Sequence, residues 1–240
     1  MTGRHPSHTG VGPQVIRPGH PHGVPSSEVF MSQKFKSANY STHAVGKWHL
    51  GFCDERYTPT FRGFDSFTGY LCGAEDYYQH TRSFNGYKGL DFRNSTSLSS
   101  AGKLPPADYT HNGSYSAHIF AAQVDRIASA HDPRKPLFLY VPLQSVHAPL
   151  EAPQHYIDAY NKTIKDKSRR KYAGMVSAMD EAVRNIVDSF VKAGLWNDTL
   201  LVFTTGKPKT DNPICLKNCK PNHISKPSLN TLTDNGGPPG

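Results

Sequence analysis

An α/β architecture, with a largely parallel sheet and helices on both faces, is what this sequence predicts, and three observations carry it. Helical and extended patterns alternate along much of the 240 residues. Two continuous apolar runs, Leu137-Phe138-Leu139-Tyr140-Val141 and Leu200-Leu201-Val202-Phe203, suit strands covered on both faces, as parallel sheets require. Between them, Tyr172 to Ala193 repeats its apolar residues at helical spacing. Such alternation feeds parallel strands through helical crossovers.

Taken in order, residues 1–25 are rich in His, Gly and Pro and read as irregular loop. A helix is expected from Ser27 to about Ala38, with Val29, Phe30 and Phe35 apolar. Thr42 to Val45 is a short strand that runs into Gly46-Lys47-Trp48-His49. Residues 52–115 hold many aromatics, Gly and Ser without a clear period, which points to functional loops. Ser116 is placed as the cap of a helix to about Ala130, with Phe120, Val124 and Ile127 on one face. The helix over Tyr172 to Ala193 buries Met175, Met179, Val183, Ile186, Val187 and Phe190, the methionines as core filler, and Gly194 stops it.

Ligands of open α/β sheets bind beyond the carboxyl ends of the strands. Lys47 and His49 follow the first strand, His147 follows the second, and the third ends at Phe203-Thr204-Thr205. Three polar elements are therefore expected at one sheet edge.

Composition narrows the classes. An apolar fraction of 36% and a mean hydropathy of -0.57, with 19 Pro and 20 Gly, predict long loops. No apolar run approaches the roughly 20 residues of a membrane span, and residues 1–24 lack the apolar region of a signal peptide. Half of the net charge of +8 comes from Lys207, Lys209, Lys217, Lys220 and Lys226 against Asp211. The remainder fits an enzyme for anionic substrates or an ordinary surface, and nucleic acid is not an expected partner. Five glycosylation sequons, at Asn39, Asn94, Asn112, Asn161 and Asn197, indicate the secretory pathway. Cys53 and Cys72 could pair in an oxidising compartment, with connectivity left open. Cys215, Cys219 and His223 supply three potential zinc ligands where a closed site needs four, so chance clustering is the preferred account.

Five short motifs occur in a fixed order: Thr2-Gly3-Arg4, Gly46-Lys47-Trp48-His49-Leu50-Gly51, Arg62-Gly63-Phe64-Asp65, Gln144-Ser145-Val146-His147-Ala148-Pro149 and Thr233-Asp234-Asn235-Gly236-Gly237. Together they resemble the sulfatase family, most closely its arylsulfatase B-like branch. That resemblance implies an alkaline phosphatase-like three-layer sandwich with a mostly parallel sheet, incomplete at both ends of this chain. It also implies hydrolysis of sulfuric esters, of aryl sulfates or of sulfated sugars and glycosaminoglycans. Family members carry the signature C-x-P-S-R-x-x-L-[LM]-T-G-R, whose cysteine becomes the formylglycine nucleophile. Thr2-Gly3-Arg4 matches its tail, which places the nucleophile upstream of Met1 and makes the chain as written inactive.

The same resemblance assigns roles. Arg4 would hold the formylglycine, Lys47 would contact the sulfate, His49 would bond the formylglycine hydrate, and His147 would stand at the ester oxygen as acid or ligand. Asp234 and Asn235 would bind calcium through hard oxygen ligands. Each has a plainer reading: Arg4 as a solvated charge, Lys47 and His49 as a surface turn, His147 as a strand cap, Asp234-Asn235-Gly236-Gly237 as a common turn. The remaining histidines, His20, His22, His80 and His155 among them, read as loop residues. Residues 1–205 form the partial catalytic domain, 206–232 an unstructured, intron-like insertion, and 233–240 a piece of the metal loop. The complete protein is expected to be lysosomal or secreted. Two alternatives stand beside this reading: a non-catalytic binder of sulfated glycans, and a phosphoesterase of the same superfamily.

Overall fold

The computed structural model describes residues 1–12, 15–96 and 106–204, with the backbone alone at Thr96. Contacts divide the chain into two units, Met1–Val202 and Phe203–Gly240, and every element below belongs to the first. Its main sheet has four strands: β1 (Ser41–Lys47), β2 (Ser66–Tyr70), β5 (Phe92–Thr96) and β6 (Leu137–Tyr140), in the order β5-β2-β1-β6. β1 runs parallel to β2 and β6, and β5 is antiparallel to β2. A separate antiparallel hairpin joins β3 (Thr81–Phe84) to β4 (Tyr87–Leu90). The helices are α1 (Met31–Ser37), α2 (Ser116–Ala130), α3 (Gln154–Asp158) and α4 (Lys167–Lys192).

Strand alternation builds a core on each face of the sheet. Ala44 and its register partner Phe67 pack with Phe30, Trp48 and Phe64 on one side. Val45, Tyr70 and Phe92 meet Ile119, Phe120 and Val124 of α2 on the other. A third cluster joins α2 to α4 through small residues, Ala117 and Ala121 against Ala178 and Ala182, with Met175 fully buried among them. The alternating α/β pattern and the mostly parallel sheet stand as expected.

Arg62-Gly63-Phe64-Asp65 turns out to be a structural tie. Arg62, 2% exposed, donates to the carbonyls of Pro25 and Glu28 at 3.2 and 2.7 Å and lies over the Phe30 ring. Gly63 adopts φ 89° against the backbone of Gln33, where any Cβ would collide. Asp65 accepts from the Thr42 amide at 2.9 Å and pairs with Lys36 at 3.0 Å, which fixes α1 against the start of β1.

Several boundaries differ from the sequence reading, each for a local reason. α1 begins at Met31, not Ser27, because the Gln33 side chain reaches back to the Phe30 amide and defines the first turn there. Tyr115 occupies the cap of α2, while the Ser116 hydroxyl donates to the Tyr77 carbonyl instead. α4 starts earlier, at Lys167, because Asp166 accepts from the Arg169 amide at 2.7 Å. The described residues of 52–115 contain four strands. Those strands are four or five residues long; β2 and β5 bury Thr68, Gly69 and Ser95, and β3 and β4 bury nothing fully, so they show no apolar period.

Two further expectations fail. Leu137–Tyr140 is a strand, but it lies at the sheet edge and is only half-buried. Leu200 to Phe203 forms no strand, and its side chains are exposed, Leu200 at 88%. An apolar run shows that burial would be favourable, not that a partner is at hand, and among the described residues none pairs with it. Cys53 and Cys72 are free, the first exposed and the second buried beside Asp91, whose carboxylate accepts the Cys72 amide at 2.7 Å. No helix among the described residues is long and apolar enough to cross a membrane.

Candidate active site

The carboxyl end of β1 is held from both sides. The Lys47 amide donates to Pro142, Trp48 to Tyr70 and His49 to Leu71, at 2.8, 2.9 and 3.1 Å. Close approach of the strands depends on Gly46 and Gly69, register partners with φ 127° and 152°. A Cβ on Gly69 would fall on the Gly46 carbonyl, and one on Gly46 would fall on that of Pro142. Trp48 anchors the exit: its ring is buried against Phe30 and Phe64, and its Nε1 donates to Tyr57 at 2.9 Å. Lys47 and His49, one residue to either side, stay half-buried.

His49 sits at φ 53° with its ring packed against Gly73, where a Cβ would lie 2.5 Å from Cε1. Its Nε2 is 3.0 Å from the Ile16 carbonyl. A carbonyl only accepts, so Nε2 carries the proton and Nδ1 keeps its lone pair. His147 follows β6 on an exposed loop and has the opposite tautomer. Its Nδ1 lies 2.8 Å from the Ala148 carbonyl, which leaves Nε2 open. Gln144, buried, ties this loop to the Glu75 carbonyl at 2.6 Å, and the Tyr77 hydroxyl donates to the His147 carbonyl at 2.9 Å. In Gln144-Ser145-Val146-His147, then, the glutamine positions and the histidine is presented.

Electrostatics join these residues into one group. Burial pushes the Lys47 ammonium down, and the nearby Arg82 charge pushes it further. Burial, then Lys47, lower His49 to about 4, with smaller contributions from His147 and Arg82 and an opposing one from the Ile16 bond. His49 is therefore neutral at physiological pH. A ring-nitrogen NMR titration is expected to show a His49 midpoint near 4 and an Nε2–H tautomer; a midpoint near 6.5 would contradict this placement. With its folded value depressed, His49 contributes stability above the unfolded midpoint of about 6.5, and that contribution is lost as pH falls through about 4.

The other expected residues are distributed as follows. Arg4 is exposed and paired with Glu28 at 2.7 Å, and among the described residues no contact joins it to Lys47, His49 or His147. Asp234, Asn235, Thr205 and the Cys215, Cys219 and His223 group lie outside the described residues. Among the described residues no group of three or more His, Cys, Asp and Glu could hold a metal ion. All five sequon asparagines are exposed.

Sequence reasoning missed two parts of the surroundings. His80, read as a loop residue, is fully buried against Glu75 at 3.2 Å, and its Nε2 bonds the His111 carbonyl. Burial raises Glu75 and lowers His80, each towards its neutral form. That pair fixes the segment whose Glu75 carbonyl receives Gln144. Arg82, on β3, is the other. It lies in a stretch without periodicity, and its charge acts on Lys47.

A mostly parallel sheet with cations gathered at the carboxyl ends of its strands is a frame for holding an anionic ligand. The profile of the sulfatase family matches residues 1–206, and the chain belongs to that family. It is 40% identical over 206 residues to arylsulfatase J of Mus musculus, covering 85% of this chain and 33% of that protein. N-acetylgalactosamine-6-sulfatase of Mus musculus is 26% identical over 183 residues, covering 76% and 33%. Among solved structures, Ps i-CgsB in complex with k-i-k-neocarrahexaose superposes with a TM-score of 0.66 at 26% identity, over 81% of this chain and 43% of that one. The PsFucS1 sulfatase from Pseudoalteromonas sp., at 20% identity and TM-score 0.60 over 81% and 41%, shares the alkaline phosphatase-like fold. The chain spans about a third of the length of these two mouse relatives.

Proposed function

We propose that the protein is a sulfuric ester hydrolase acting on sulfated sugars, and that residues 1–205 belong to its catalytic domain. The observation that carries this is the convergence of Lys47, His49 and His147, from two strand ends, within a sulfatase-family chain. Cleavage requires attack on sulfur, rupture of the S–O ester bond and a proton for the leaving oxygen. Lys47 binds the nonbridging oxygens and offsets their charge. His147, once protonated at its open Nε2, supplies the proton. His49, neutral, would accept a hydrogen bond at Nδ1 from a hydrated formylglycine, which Arg4 would help to hold once released from its pair with Glu28. Asp234 and Asn235 would supply oxygen ligands to part of a calcium site, and the ion would add electrophilic stabilisation. Residues 206–232 are an insertion foreign to the domain, and 233–240 a piece of the metal loop. The complete protein is a glycoprotein of the lysosome or the exterior, modified at Asn39, Asn94, Asn112, Asn161 and Asn197.

None of Cys53, Cys72, Cys215 and Cys219 stands in C-x-P-S-R, so the 240-residue chain by itself is expected to bind sulfate esters without cleaving them. With N-acetylgalactosamine 4-sulfate, ring resonances of His49 and His147 should move together, and 4-methylumbelliferyl sulfate with calcium should give no turnover. Tighter binding of the matching phosphate ester would favour a phosphoesterase. Turnover lost in Lys47→Ala and His147→Ala would place the nucleophile within this chain and overturn the formylglycine assignment.

A further inference from the structure

The His147 side chain is exposed, so its place has to be set through its backbone. The loop that carries it is held from below. Val146 and Leu150, on either side of the histidine, pack against the cluster that contains Tyr77 and Tyr115. These two rings stack with centroids 5.2 Å apart and planes 13° from parallel. Each directs its hydroxyl at the loop: Tyr77 donates to the His147 carbonyl at 2.9 Å, and Tyr115 to the Glu151 carbonyl at 3.0 Å. Glu151 answers with its Oε2, which accepts the Tyr77 amide at 2.9 Å.

The pair is itself fixed to a helix. Tyr115 caps α2, and the amide and hydroxyl of Ser116 both donate to the Tyr77 carbonyl, at 2.9 and 3.0 Å. Tyr77 is fully buried. A phenylalanine would fill the same space, and a buried hydroxyl costs free energy unless it is bonded. Burial raises the Tyr77 hydroxyl above the ordinary tyrosine range, so it stays protonated and donates. With the His147 carbonyl held, the peptide joining His147 to Ala148 is kept from turning, and the Ala148 carbonyl stays 2.8 Å from Nδ1. That bond keeps the proton on Nδ1 and leaves Nε2 open. Neither tyrosine belongs to the five sulfatase motifs.

We infer that Tyr77, backed by Tyr115, is a positioning residue that sets the His147 tautomer and so determines which nitrogen meets the ester oxygen. Its effect on the ring rests on these contacts alone; its consequence for binding rests on the sulfate-ester reading of the site.

Ring-nitrogen NMR on the neutral imidazole tests it in the 240-residue chain. The parent should show His147 protonated at Nδ1, and Tyr77→Phe a mixture of both tautomers. The variant should bind N-acetylgalactosamine 4-sulfate about three- to tenfold more weakly, the range of one neutral hydrogen bond. Tyr160→Phe is the control: it removes a hydroxyl bonded to Ser177 at 2.7 Å, outside the loop, and should leave the His147 tautomer as in the parent. A parent ring protonated at Nε2, an unchanged tautomer in Tyr77→Phe, or the same mixture in both variants would overturn the inference. If Tyr77→Phe does not fold, the parent decides. Tyr70 is as deeply buried as Tyr77, but its hydroxyl has no hydrogen-bond partner among the described residues. A Tyr77 hydroxyl proton that exchanges more slowly than that of Tyr70 supports the inference, and equal exchange overturns it. A shifted tautomer with parental affinity upholds the positioning role and takes the ester away from His147, so that the sulfate reading is what fails.

Discussion

Gly69→Ala is expected to leave the chain without a cooperative folding transition. Gly69 stands in the middle of the sheet, opposite Gly46 in the parallel β1–β2 ladder. The added Cβ would fall on the Gly46 carbonyl oxygen, with the Gly46 carbonyl carbon at 2.7 Å and its amide nitrogen at 2.8 Å. All three atoms are backbone, so no side chain can rotate out of the way. Gly46 cannot retreat either, because on its other side it lies against Pro142. Relief therefore means separating β1 from β2 or from the segment after β6, at the place where Lys47, Trp48 and His49 take their positions. Overpacking alone costs about 1–3 kcal/mol, and a side chain at φ 152° adds a similar strain. Ladder bonds lost on top of these bring the total to on the order of 4 kcal/mol or more, comparable to the whole stability of a domain. Gly89→Ala is the control, since a Cβ there meets nothing within 4 Å. It should melt like the parent by circular dichroism. A Gly69→Ala protein melting within a few degrees of the parent would show that the strands have slack that the geometry denies.

That pair of glycines also shows what the sequence made legible. Gly46 lay inside a recognisable motif, but its reason for being glycine is a neighbour, Gly69, in a stretch that reads as loop. Ser66-Phe67-Thr68-Gly69-Tyr70 carries no strand signal of its own; it is a strand because β1 and β5 pair with it on both sides. The α2 and α4 helices were readable because their apolar faces repeat over four to seven turns and meet each other. Leu200 to Phe203 misled for the converse reason, since composition records an apolar run but not its cover. In the candidate site, motif resemblance singled out Lys47, His49 and His147. The tautomers of the two histidines were not, because each is fixed by a carbonyl, of Ile16 and of Ala148, that no pattern predicts. Nor was Arg82, which a hairpin register delivers.

Lys47→Ala is expected to weaken sulfate-ester binding by about 10- to 100-fold, because a hydrogen bond to a charged group contributes about 1.5–3 kcal/mol and each 1.4 kcal/mol is a factor of ten. The fold should survive, since the Lys47 ammonium makes no hydrogen bond or ion pair among the described residues and the strand end is held by backbone bonds. Two accompanying readouts separate a lost contact from general damage. The first needs no ligand. Lys47 is the largest charge holding His49 down, so removing it should raise the His49 midpoint above about 4. The second is pH. Binding requires the protonated lysine, whose value is depressed by burial and by Arg82, so parental affinity should fall at lower pH than an ordinary lysine would dictate. Arg82→Gln removes the like charge and should move that alkaline edge upward, whatever it does to affinity at neutral pH. Lys47→Arg keeps a cation but offers a planar fork in place of a point charge, and should recover binding only in part. Parental affinity in Lys47→Ala, together with an unmoved His49 midpoint, would place Lys47 outside the site. A shifted midpoint with unchanged affinity would keep the geometry and remove the sulfate from it.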